Sequence, residues 1–194
     1  MGKVEKLLSL AHRLYQHGRW LDGEADGERL NMTGENIEGL SFWGRRLDFA
    51  VLRGVVGTGV DFRFAKCGGA DFSKAKLPHG RFNMSDCSGA QFTGADLTGA
   101  KFNHANLRGA HLRGVTAFGV HFDKGTDLTG ALLDLSTFTL WDGMQRAKID
   151  VSQARALVAR AFSYNCDSPE YTKLREAARE FCKGADIAGY ICWL

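Results

Sequence analysis

Large apolar side chains fall on every fifth residue through the middle of this chain, and the smallest residues fall two positions before them. From Gly94 the sequence reads GADLTGAKFNHANLRGAHLRG, with Leu97, Phe102, Leu107 and Leu112 in one phase and Ala95, Ala100, Ala105 and Ala110 in another. A glycine often follows two residues after the large one. Four fives make a longer period, because Phe42, Phe62, Phe82, Phe102 and Phe122 recur every twenty residues. Such self-similarity decides architecture before local propensity does, since a repeat buries its apolar face only against its neighbours.

Residues twenty apart then stack on one wall of successive coils, about 4.8 Å apart if coils pair like neighbouring strands. Beside the Phe42 wall run three others: Met32, Leu52, Phe72, Phe92, Leu112; then Ile37, Gly57, Leu77, Leu97, Ala117; then Leu47, Cys67, Cys87, Leu107. Ala65, Ala70, Ala75, Gly80, Ser85 and Ala90 take the adjoining inward place, where only a small side chain fits. Two centres are undersized: Gly57, which Val55 and Val60 refill, and Ala117, flanked by Val115 and Val120. The phase slips by one residue after Phe122, so Leu128, Leu133 and Phe138 continue at five and the segment from Lys124 to Asp127 holds a bulge.

This motif resembles the pentapeptide-repeat family, whose pattern is A-(D/N)-L-x-x, over more than half of the chain. The resemblance implies a mainly β fold, a right-handed quadrilateral parallel β-helix with four pentapeptides per coil. The central Leu or Phe and the preceding Ala point inward, and the other three positions point out. The expected organisation is an N-terminal capping helix and linker over 1–29, the pentapeptide-repeat β-helix solenoid over 30–144, and a C-terminal helical cap or dimerisation segment over 145–194.

The flanks change period. Val4, Leu7, Leu8, Ala11, Leu14 and Tyr15 share one face of a helix from Lys3 to His17, with Gly18 as its C-terminal cap. This face is expected to cover the first coil, whose open edge would otherwise invite association, with Trp20 and Leu21 as anchors. Asp22 to Glu28 has the spacing of a calcium loop at its start. Position twelve is Thr33 where a bidentate Glu belongs, and position eight is Arg29, so the segment reads as a solvated linker. Beyond the repeat, Asp150 and Gln153 open a helix carrying Ala154, Leu157, Val158, Ala161 and Phe162. Ser168-Pro169 opens a second, with Tyr171, Leu174, Ala178, Phe181 and Cys182 on one side and Gly184 at its end. In some pentapeptide-repeat relatives a C-terminal helical element makes a dimer. The helix pair and the apolar tail are therefore expected either to cap the last coil or to form a homodimer.

Composition narrows the function. The 25 basic and 22 acidic residues leave a net charge of +3, neither polyanionic nor strongly polycationic. Five cysteines without a CxxC pair, no signal-like start and no long apolar run point to a reducing cytoplasm and no membrane. Cys67 and Cys87 are central residues on one wall, expected buried and inert; Cys166, Cys182 and Cys192 lack zinc spacing. His79, His104, His111 and His121 fall at outward positions. There is no phosphate loop, HExxH or GxSxG, and a packed interior leaves no substrate cleft. The expectation is a protein without enzymatic activity, cofactor or metal.

What remains is surface. Most outward residues are Gly, Thr, Ser, Asn and balanced charge, but Trp43, Phe64 and Met84 cluster on the Phe42 wall, with Arg63, Arg81, Lys101 and His104 nearby. Single exposed hydrophobes need no explanation; a cluster of Trp, Met and Arg is what interfaces favour. A cytosolic protein partner is expected to dock there, its identity not encoded in these residues. One alternative is mimicry of DNA, by which family members that protect DNA gyrase act through a strongly acidic rod. Here Arg45, Arg46, Arg53, Arg63, Lys66, Lys74, Lys76, Arg81, Lys101, Arg108 and Arg113 stand against that reading. A second alternative is a phage-encoded or effector-like inhibitor of a host protein. Direct nucleic-acid binding ranks last, because Asp61, Asp71, Asp86, Asp96 and Asp123 interrupt a small basic excess.

Overall fold

The computed structural model describes residues 3–133 and 147–148. They fall in the first of two compact units into which the chain divides, Met1–Lys148 and Ile149–Leu194. The helices expected from Asp150 onward, the repeat position Phe138, and Cys166, Cys182 and Cys192 lie outside the described residues.

From residue 31 the backbone repeats one set of hydrogen bonds per pentapeptide. At Phe42 the central N–H donates to the Asp61 carbonyl at 2.7 Å, Gly44 N–H to the Arg63 carbonyl at 2.9 Å, and Arg45 N–H back to the Phe42 carbonyl at 3.0 Å. The first two bonds join neighbouring coils and the third closes the turn. Parallel bridges therefore link residues twenty apart, from Asn31 with Val51 to Lys101 with His121. Residues 31–133 form a repeat β-helix solenoid. Most walls contribute single bridges; among the described residues, a ladder two residues long forms between β1 (His111–Leu112) and β2 (Leu132–Leu133).

The register grows by one residue after His121, since Asn106 pairs with Asp127 and His111 with Leu132. The extra residue falls in the expected bulge. Thr126 is buried there in the small-residue place, its hydroxyl donating to the Phe102 carbonyl at 2.9 Å and accepting from Asp123 N–H at 3.0 Å.

The central residues are the core. Phe42, Phe62, Phe72, Phe82, Phe92 and Phe102 are fully buried, and so are Leu47, Leu52, Leu77 and Leu97. At Gly57 an added Cβ would lie 2.7 Å from Val60 Cγ2 and 3.1 Å from Ile37 Cγ1, so Val60, as expected, and Ile37 rather than Val55 stand nearest the empty centre. Ser85 fits the small place by donating its hydroxyl to the Phe82 carbonyl at 2.7 Å, with Cys87 Sγ 3.3 Å away. Cys67 and Cys87 are free thiols inside; the hydrogen bond between them and then burial push the Cys67 thiol well above its usual value. Glu35 and Arg45 also occupy the small-residue place, and there the first coil departs from the pattern: Arg45 is exposed and Glu35 half-buried.

Helix α1 spans Lys3–Leu21, and it corrects two expectations. It runs past Gly18 and stops where Gly23 takes a positive φ of 76°. Its inner face is also different. Leu10 and His17 are buried with Leu14 half-buried between them, whereas Val4, Leu7, Leu8 and Tyr15 are exposed. Leu7, Leu10, Leu14, His17 and Leu21 form a second stripe at three-four spacing that overlaps the first and contains a histidine. Arg13 joins α1 to the first coil, its Nη1 and Nη2 donating to the Glu35 carboxylate at 3.0 and 2.9 Å.

Candidate functional site

Each turn needs a left-handed residue two positions after the centre, and this requirement creates the candidate surface. Gly44 meets it with φ 64°, whereas Phe64 and Met84 adopt it with φ 59° and 58°. A left-handed residue with a Cβ costs about 1–2 kcal/mol, which is why most such places are glycine. Phe64 and Met84 occupy the same place one coil apart, so their side chains lie about one strand spacing from each other. Trp43 precedes the corresponding Gly44. The Trp43 and Phe64 rings meet edge to face with centroids 5.7 Å apart. Trp43, Phe64 and Met84 are 56%, 48% and 51% exposed, so α1 does not cover them.

The basic residues stand differently from one another. Asp61, only 7% exposed, accepts from Arg63 Nε at 2.9 Å, Arg63 Nη2 at 2.8 Å, Arg63 N–H at 3.1 Å and Arg81 Nη2 at 3.2 Å. The Arg63 guanidinium above all, with Arg81 assisting, holds the Asp61 carboxyl below the usual carboxylate range. Two guanidinium groups are thus fixed beside the apolar strip around one carboxylate. Lys101, bridged to Arg81 on the next coil, is exposed. The strip ends at His104, which takes φ 58°, pairs through Nε2 with Asp123 at 3.1 Å and lies over Gly125.

The structure therefore brings Trp43, Phe64 and Met84 together, fixes Arg63 and Arg81 beside them, and leaves Lys101 at the margin. Sequence reasoning counted Asp61 only as a charge and passed over its role in holding both arginines; its place in the column before the central residue, between Ser41 and Arg81, was the available signal. It also missed Phe49, exposed on the adjoining corner with φ 59° and its ring over Gly69.

At the Trp43 end, a groove of about 420 Å³ separates Ala11, Leu14, Tyr15 and Gly18 of α1 from Gly44, Arg45 and Arg46. The carboxylates of the calcium-like segment are taken by arginines: Glu24 and Asp26 by Arg19, and Asp22 by Arg46 at 2.9 Å. Among the described residues, no group of three His, Cys, Asp or Glu is placed to hold a metal ion, and no helix is long and apolar enough to cross a membrane.

A family model described as pentapeptide repeats matches residues 46–78 and 81–114, in eight copies. No protein of curated function matches the chain in sequence. Solved structures do match. HetL, a pentapeptide repeat protein involved in heterocyst differentiation regulation in the cyanobacterium Nostoc, is 24% identical over 60% of this chain and 57% of that chain, with TM-score 0.46. This chain thus spans little more than half of HetL. Rfr23, a pentapeptide repeat protein from the cyanobacterium Cyanothece, is 20% identical over 60% of this chain and 97% of its own, with TM-score 0.31. QnrB1, a plasmid-mediated fluoroquinolone resistance protein, is 20% identical in one trypsin-treated form, over 69% of this chain and 91% of its own, with TM-score 0.29.

Proposed function

This chain belongs to the pentapeptide-repeat family, and from that premise we propose that it is a non-enzymatic scaffold that binds and modulates a protein partner in the cytoplasm through the Phe42 wall. The observation that carries the reading is the edge-to-face contact of Trp43 with Phe64, both half exposed at adjoining coils. Exposed aromatic side chains have few torsions to freeze on binding, and a few such anchors with Arg usually dominate affinity. Asp61 pre-sets Arg63 and Arg81, and Lys101 adds a cation, so the surface suits a partner with an apolar patch rimmed by carboxylates.

The same proposal takes the solenoid as right-handed and four-sided over 30–144, with 1–29 capping the first coil and 145–194 capping the last or pairing two copies. The DNA-mimic reading stays second, because this wall presents guanidinium and ammonium groups where a polyanion would carry acids.

The test is the triple change Trp43→Ala, Phe64→Ala, Met84→Ser. It should abolish cross-linking to the partner recovered by the wild-type protein from its own cytosol, while circular dichroism and the melting curve stay those of a folded β-helix. Unchanged recovery by the folded triple variant would move the interface elsewhere.

A further inference from the structure

His17 stands where α1 meets the first coil. Its side chain is fully buried, and Nδ1 accepts the Leu30 N–H at 3.1 Å. Leu30 is the first core residue of the solenoid, and its carbonyl accepts Val51 N–H at 2.9 Å. One imidazole nitrogen therefore ties the helix to the edge of the first coil. As Nδ1 is the acceptor, the proton of the neutral ring sits on Nε2. Nε2 is buried without a hydrogen-bond partner, as is Oε1 of the adjacent Gln16. The ring stacks on Trp20, with centroids 5.6 Å apart and planes at 12°.

Charges of both signs flank the ring. Asp48 favours an imidazolium through its backbone and its charge, while Arg29, at the end of the linker, and Arg46 of the coil disfavour one. Arg46 is engaged by Asp22, and Arg29 reaches the Phe49 carbonyl and lies over the Trp20 ring, 5.7 Å from its centroid. Burial, the largest influence, holds the His17 pKa below its ordinary 6.5. Other contacts also tie this segment to the coil: the Arg13 guanidinium with the Glu35 carboxylate, Asp22 with Arg46, and Arg29 with the Phe49 carbonyl. Among the described residues that make this contact, His17 has the side chain whose ordinary pKa falls between pH 5 and 8.

We propose that His17 is a proton-operated latch, which at mildly acidic pH releases residues 3–29 from the first coil and uncovers the edge from Leu30 to Leu40 while the coils stay folded. The chemistry is direct. An imidazolium has no lone pair for the Leu30 N–H, so protonation turns an acceptor into a donor facing a donor at a buried site. The sign follows from linkage. The released helix carries a His17 with a pKa near 6.5, and the docked helix a lower one. Docking is at full strength well above pH 6.5 and weakens as pH falls through and below it, until the docked imidazole itself titrates.

The test is hydrogen exchange by mass spectrometry on the full chain between pH 7.5 and 5.0, corrected for intrinsic exchange rates. In the wild type, protection of α1 should fall by up to about fivefold from pH 6.5 to 5.5, with coils 60–110 unchanged. His17→Gln, which keeps a side-chain acceptor without titrating, should make α1 protection independent of pH. His12→Gln, on the exposed side of α1, should keep the wild-type drop. Wild-type protection that does not change down to pH 5.0, or an equal drop in His17→Gln, overturns the latch. If His17→Gln fails to dock at neutral pH, proton NMR of the wild-type His17 ring decides. A midpoint coinciding with loss of α1 protection supports the latch, and a ring that protonates while α1 stays protected overturns it.

Discussion

The rings of Phe62 and Phe82 lie face to face, 4.8 Å between centroids and 6° between planes. That is the strand-to-strand distance of a sheet, so the inter-coil hydrogen bonds set the rise of the ring ladder. Phe42 extends it at 5.0 Å and Phe102 at 4.7 Å. The adjoining ladder of Phe72 and Phe92 stands perpendicular, with Phe72 turned 90° to Phe62 and 85° to Phe82. Phe62, Phe72, Phe82, Phe92 and Phe102 thus meet parallel rings along their own wall and edges across the core, and the edge contacts are the geometry that aromatic quadrupoles favour.

Phe82 touches four other rings, Phe62, Phe72, Phe92 and Phe102. Phe82→Ala should cost about 3–5 kcal/mol, since transfer and cavity terms add and a stacked solenoid cannot collapse around the gap. Phe82→Asp should leave the protein insoluble, because a carboxylate there has no partner. Thermal denaturation checks the first and soluble yield the second; a wild-type melting temperature for Phe82→Asp would refute the inward placement.

Restoring the repeat at its blemish should do harm. Gly57→Leu matches the pattern, yet Val60 and Ile37 already fill that space. Overpacking should destabilise by about 1–3 kcal/mol in urea unfolding. The opposite is expected of Lys74→Gly, which relieves a left-handed residue at φ 59° and should stabilise by about 1 kcal/mol. If both changes are neutral, neither the filled centre nor the turn strain is real.

Asp61 ties stability to acid pH in one direction. Its folded pKa lies below the ordinary 3.8, mainly through the Arg63 hydrogen bonds. Its contribution is therefore present above about pH 4 and is lost as pH falls through the lower folded value. Asp61→Asn should melt below the wild type at pH 7, with the gap closing as pH approaches 2. A gap that is constant with pH would mean that the carboxylate charge contributes nothing.

A solenoid wall that carries arginines should not imitate DNA. At stoichiometric protein, supercoiling by DNA gyrase should proceed uninhibited and quinolone poisoning should not be relieved. Protection at that ratio would promote the mimicry reading over the scaffold.

The five-residue period by itself determined the inward residues from Met32 to Phe122, the small places beside them, the refilled Gly57 and the one-residue slip before Leu128. It could do so because every coil repeats one backbone geometry, so one pattern read many times leaves little freedom. Where the pattern is read only once, tertiary structure decided. Helix α1 carries two overlapping apolar stripes, and the stripe that complements the first coil, Leu10 to His17 with Arg13 meeting Glu35, won over the more hydrophobic one. The contact of Arg81 with the Asp61 carboxylate that Arg63 already holds likewise needed the coil spacing, since it joins residues twenty apart through side chains that a period does not constrain. Inward positions repeat because the core has one shape; outward positions answer only to their local neighbours, and those are known only once the chain is coiled.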